Sequence, residues 1–260
     1  MQLRSRPAYV DTPTALKLRY SRKGIGYFGG QGGSMTKKFF LLDANVIVDY
    51  YLGRHEVQRV FTDLLRRRQE GRCLIFIPDF CISEIFSTFA KKCYYEKDAR
   101  DRISEQQFRK AKWDFIDDTS RDLEYKRTQP YTHVELSQNH LINAHLVYQP
   151  AWDFVKKEHA RKRLVRKDGT FKFPSTFDLL VIAQGVEMAK LYSDEDFVIL
   201  TSDEVMLEIC RHLRNLRHAD KVSYIKRNES RLETYHNLPS FKYPRAINAR
   251  NYGEIKAFLR

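Results

Sequence analysis

The chain has 260 residues, with 46 Lys and Arg against 33 Asp and Glu, a formal net charge of +13. Its 15 Tyr and 17 Phe supply enough apolar surface for a buried core and exclude a wholly disordered chain. No apolar run approaches the roughly 18 residues needed to cross a bilayer. The start, MQLRSRPAYVDT, lacks the apolar stretch of a signal peptide, so a cytoplasmic protein with no membrane partner is expected. The positive surplus favours polyanions, above all nucleic acid, through phosphate contacts and counterion release. Cys73, Cys81, Cys93 and Cys210 form no CxxC pair and have apolar neighbours. That is the pattern of reduced core residues rather than zinc ligands or disulfides.

Residues 1–34 are basic, rich in Gly and Ser, and lack a sustained apolar period, which predicts a flexible tail. Gly24, Gly26 and Gly29 match a dinucleotide fingerprint formally, but no strand precedes them and no helix follows. Phe39–Leu42 reads as a buried strand of a parallel sheet, uniformly apolar rather than alternating. Val57, Val60, Phe61, Leu64 and Leu65 follow helical spacing, with Gly71 as the stop. Leu74–Ile77 is a second strand, and Ile82, Ile85, Phe86 and Phe89 mark the next helix. Residues 93–171 are charged and aromatic, and read as a helical insertion or cap, with helices over 101–117 and 152–165. The stretch between Pro130 and Pro150 has no clear period. The α/β pattern then resumes. Ser175 and Asp178 have capping-box spacing at a helix start. Phe197–Thr201 is a strand, Glu204–Leu213 a helix, Val222–Ile225 a further strand, and 251–260 a short closing helix. The division expected is a tail over 1–34, a first part over 35–92, the insertion over 93–171, and a second part with a C-terminal extension over 172–260. Alternating strands and helices predict a parallel sheet in an α/β fold.

Acidic residues mark the junctions of these elements. Asp43 ends the strand in FFLLDANVIVDYYL, Glu84 lies in ISEIFSTF, Asp178 opens FDLLVIAQGVEMAK, and Asp203 follows VILTSD. Each has a structural alternative. Glu84 falls at the edge of its helix's apolar face, and Asp178 and Asp203 have the placement of helix caps. Together they are positioned to meet at the carboxyl edge of a parallel sheet, where open α/β folds place their sites. Several carboxylates in one pocket repel each other and invite hard cations such as Mg²⁺ or Mn²⁺.

In that order and character the four segments resemble the motifs of the PIN-domain nucleases, over residues 38–92 and 172–226. The resemblance implies a three-layer α/β/α fold with a central parallel sheet. It implies that Asp43, Glu84, Asp178 and Asp203 hold one or two Mg²⁺ or Mn²⁺ ions and carry out catalysis, supported by Asn45 and Thr201. It further implies phosphodiester hydrolysis, with RNA or DNA as partner. In toxin-type members an antitoxin or a second copy is a further partner. The chain departs from compact members in the segment 93–171 and in its C-terminal extension.

Beyond the acids, the run Arg161, Lys162, Arg163, Arg166 and Lys167 reads either as a solvated helix face or as a phosphate-gripping surface, and Arg245 and Arg250 are further candidates. Tyr and Trp residues of 93–171 either fill a local core or stack on unpaired bases, the second favouring single-stranded RNA. The function expected is a metal-dependent endoribonuclease. A catalytically silent RNA-binding scaffold and a DNA-directed nuclease remain the alternatives.

Overall fold

In the computed structural model, five short strands are paired side by side, all parallel. They are β1 (Lys38–Leu42), β2 (Cys73–Pro78), β3 (Thr132–Val134), β4 (Phe197–Thr201) and β5 (Ala246–Asn248), in the order β3-β2-β1-β4-β5. The structure describes residues 37–99, 101–119, 130–161, 173–193, 195–228 and 242–260. Met35–Arg260 form one compact unit, and the expected tail over 1–34 lies outside the described residues. The helices are α1 (Ala44–Tyr51), α2 (His55–Gln69), α3 (Asp79–Tyr94), α4 (Glu105–Thr119), α5 (Gln138–Ala160), α6 (Thr176–Met188), α7 (Glu204–Arg214), α8 (His218–Asn228) and α9 (Tyr252–Phe258).

Helices flank the sheet in an α/β/α arrangement. The first group, α1 to α4, is joined by aromatic contacts: Tyr50 stacks on Phe61, Tyr51 meets Phe115 edge-on, and Phe86 and Phe89 meet Phe115 in the same way. Full burial of side chains such as Phe61 and Phe115 stabilises the fold by about 1.5–3 kcal/mol each. The second group is tied through α5, whose Asn143 donates to the Ala183 carbonyl and to Glu187 on α6, and whose Phe154 stacks on His212 of α7. The uniformly apolar strand β4 is buried along its whole length, as a strand covered on both faces must be. All four cysteines are free and buried, in keeping with core residues. No helix among the described residues is long and apolar enough to cross a membrane.

The segment 93–171 is not a separate cap. It supplies β3, which pairs with β2 through Phe76↔Thr132 and Pro78↔Val134, and α5, which packs on α6. Helix α5 also runs through Pro150, which the sequence marks as a boundary. Proline cannot donate to the carbonyl four residues back, and the Leu146 carbonyl instead accepts from the buried Tyr243 hydroxyl at 2.9 Å. A residue from the C-terminal extension thus satisfies the group that Pro150 leaves unpaired. The expected strand over Val222–Ile225 is helical, within α8. Its two branched residues are three apart, a spacing that serves a helix face as well as a short apolar run. The fifth strand is β5, three residues long and directly after Pro244 and Arg245.

Register fixes the edge that matters. Leu42 pairs with Leu200, so the chain leaves β1 beside the end of β4. From β1 the strand order grows outward through β2 to β3, then returns to β4 and β5 on the other side. β1 and β4 therefore flank the topological switch point, where crossovers diverge to opposite faces and leave a crevice at the carboxyl edge.

Candidate active site

Asp43 follows β1 directly and begins α1, its backbone N–H donating to the Leu200 carbonyl at 3.0 Å. Its side chain is only 2% exposed. Oδ2 accepts from Thr201 Oγ1 at 2.7 Å and from Asn45 Nδ2 at 3.2 Å. The Thr201 hydroxyl in turn accepts from the Asp203 backbone N–H at 3.0 Å, so one side chain at the end of β4 links two of the acids. Asp203 caps α7, its Oδ1 accepting from the N–H groups of Val205 and Met206 at 2.6 and 3.1 Å. Asp178 closes the capping box of α6, accepting from Ser175 N–H at 2.5 Å while its own N–H donates to Ser175 Oγ at 3.1 Å. Both structural alternatives read from the sequence for these two aspartates are therefore real. Capping does not exclude a place in a site, because a cap uses one oxygen of the carboxylate.

Glu84 stands between the buried Cys81 and Ile85 on α3 and is half-buried. Burial pushes the Asp43 carboxyl up to about 7, and the Asp178 charge adds to that. The Thr201 hydrogen bond opposes the rise, and Glu84 and Asp203 add smaller repulsions. Glu84 is raised by burial and then by Asp178, with Lys91 opposing. Asp178 is raised by burial against its bonds to Ser175, with Asp203 adding to the rise. Asp43 thus feels the other three acids named from the sequence, and Asp178 also acts on Glu84 and Asp203 on Asp178. None of them is in an ion pair with a described residue.

Among the described residues, no three His, Cys, Asp or Glu side chains close into a ready-made ion cage. The donor set nevertheless suits a hard cation. The second oxygen of Asp43, Asp178 and Asp203 has no partner among the described residues, and the Glu84 carboxylate is likewise without one. Carboxylate oxygens are what Mg²⁺ and Mn²⁺ take.

Beside the acids lies a crevice of about 330 Å³, lined by Asn45, Asp49, Lys92, Ser202, Asp203 and Arg250 among others. Asp49 was not legible as part of this edge. The signal for it is a single acid within the apolar run VIVDYY. It is buried and accepts from Arg250 at 3.0 Å and from Ser202 Oγ at 3.3 Å. Of the two C-terminal arginines, Arg250 thus reaches the site's rim, whereas Arg245 pairs with Glu254. Arg161 ends α5 and pairs with Glu158 at 2.9 Å. Lys162, Arg163, Arg166 and Lys167 lie outside the described residues.

No protein-family model and no curated protein matches the chain. Among solved structures, the chain is similar to one from VapBC2 of Rickettsia felis, solved bound to a DNA fragment from its promoter. The identity is 13%, over 66% of this chain and 92% of that one, with a TM-score of 0.35.

Proposed function

We propose that this chain is a metal-dependent nuclease of the PIN type that hydrolyses phosphodiester bonds of single-stranded RNA. The observation that carries the reading is Asp43: a carboxyl buried beneath three others, given neutral donors and no cation. A carboxyl buried without a cation is costly to ionise, and strongly perturbed groups of this kind cluster at sites of chemistry. Asp43 and Asp203 are assigned as the main holders of Mg²⁺ or Mn²⁺, with Asp178 beside them. Such a cation, when bound, makes water a stronger nucleophile at neutral pH and offsets charge on the phosphate and the leaving 3′ oxygen. Thr201 and Asn45 hold one oxygen of Asp43 and leave the other for the cation. Glu84 orients the attacking water from the α3 side. The positive surplus of the chain supports a polyanionic substrate.

The test is incubation of the purified full chain with labelled single-stranded RNA and DNA, in Mn²⁺ and in EDTA. RNA cleavage that is lost with chelator and lost in Asp43→Asn is the expected result. Cleavage of DNA alone moves the assignment to a DNA-directed nuclease. Binding of RNA without cleavage in Mn²⁺ leaves a silent scaffold and overturns the proposal.

A further inference from the structure

We propose that a line of exposed aromatic rings leading to the acid site is a stacking track for unpaired bases, which restricts the substrate to single strands. This inference rests on the nuclease reading for its placement, but its test is one of binding alone.

The inner end of the track is Phe177. It immediately precedes Asp178, is 37% exposed, and stacks on Phe80 with centroids 5.9 Å apart and planes inclined by 14°. Phe80 lies one turn before Glu84 on α3, a spacing that puts both on the same side of the helix. The aromatic pair therefore stands at the rim of the acid site, between the elements that carry Glu84 and Asp178. Phe173 is four residues earlier, within about 14 Å of chain. It begins a second stack: Phe173 on Trp152 at 5.1 Å and Trp152 on Tyr148 at 6.1 Å, inclined by 28° and 16°. Its end members are exposed, Tyr148 by 49% and Phe173 by 45%.

Near-parallel rings with exposed members suit the faces of unpaired bases, since every base offers a π-face and stacking needs no sequence. Lys156 Nζ sits 5.5 Å from the Trp152 centroid, a cation beside the rings where a phosphate backbone would run. The overall charge of +13 agrees with such an occupant. An apolar protein partner is the other candidate for exposed side chains here, but the exposed members are all aromatic and a lysine lies among them. A duplex keeps its bases stacked inside and cannot offer their faces.

The experiment uses the full chain carrying Asp43→Asn, so that substrate is not consumed. Fluorescence anisotropy with Mn²⁺ present follows binding of a short labelled single-stranded RNA, a single-stranded DNA of the same sequence, and the RNA duplex. At least one single strand is expected to bind about tenfold or more tightly than the duplex. Phe177→Ala and Trp152→Ala should each weaken single-strand binding by about 5- to 100-fold, whereas Phe177→Trp retains it. Thermal melts identify any variant that has lost its fold. Phe173→Ala, at a half-exposed position, then provides an independent reading of the same track. Unchanged single-strand affinity in folded Phe177→Ala and Phe173→Ala assigns the rings to another partner and overturns the proposal, as does preference for the duplex. Failure of the nuclease reading would show differently, as absence of Mn²⁺-dependent cleavage by the unmutated chain.

Discussion

Two buried aspartates stand at opposite ends of α1, and the protein treats them differently. Asp49 is 7% exposed and is neutralised: the Arg250 guanidinium and the Ser202 hydroxyl both donate to it. Asp43 is 2% exposed and has no cation partner among the described residues: it has Thr201 and Asn45 as donors and three further carboxylates as neighbours. A buried charge ordinarily needs an opposite one. Asp49 obeys that rule and serves as a tie between α1 and the turn after β5. Asp43, at the switch point of the sheet, has no such partner among the described residues and is pushed toward its protonated form instead, which is the contrast that the proposed function rests on.

The largest difference between the two is expected from their asparagine variants. Asp43→Asn should lower cleavage by about 10²-fold or more while the circular dichroism stays that of the parent, and Asp49→Asn should leave cleavage readily measurable. Equal losses in both would erase the distinction. Asp43 also gives stability a pH dependence. The folded Asp43 carboxyl is raised from 3.8 to about 7, so the folded state holds a proton that the unfolded chain releases. In EDTA, this contribution is fully present below about pH 4 and lost as pH rises through about 7, with a slope approaching about 1.4 kcal/mol per pH unit. Urea melts across that window should show the decline for the parent and its absence in Asp43→Asn, which should be the more stable protein at neutral pH.

Thr201→Val tests the neutral donor. It removes the hydroxyl shared by Asp43 and the Asp203 N–H from a fully buried position, and should destabilise by about 1–3 kcal/mol in urea melts. The smallest effect is expected for the neutralised acid. Arg250 is half-exposed, so Asp49→Asn should cost only about 0.5–1 kcal/mol. A larger loss there than in Thr201→Val would mean that the tie matters more than the acid edge.

Legibility in the sequence followed burial. β1, β2 and β4 could be read because a strand covered on both faces must be apolar throughout, as FFLL, LIFI and FVIL are. β3 and β5 could not, because three-residue edge strands such as THV and AIN owe their pairing to neighbours already in place. Helix α5 was hidden by Pro150, whose cost is offset by a hydroxyl nearly a hundred residues away. Asp43, Asp178 and Asp203 each fall at an element junction, which one-dimensional order can carry, whereas Glu84 stands inside α3 and has no such mark. Asp49 was not legible, since its meaning depends on Arg250, a residue that only the β4–β5 pairing brings within reach.

The most direct test of the acid edge is a Mn²⁺ titration of the metal-free protein, following the ion by electron paramagnetic resonance in the unmutated chain and in Asp43→Asn and Asp49→Asn. Loss of the free-ion signal on adding the unmutated protein, retained with Asp49→Asn and abolished with Asp43→Asn, is the result predicted. A free-ion signal untouched by the unmutated protein, or one quenched equally by the Asp43 variant, would contradict it.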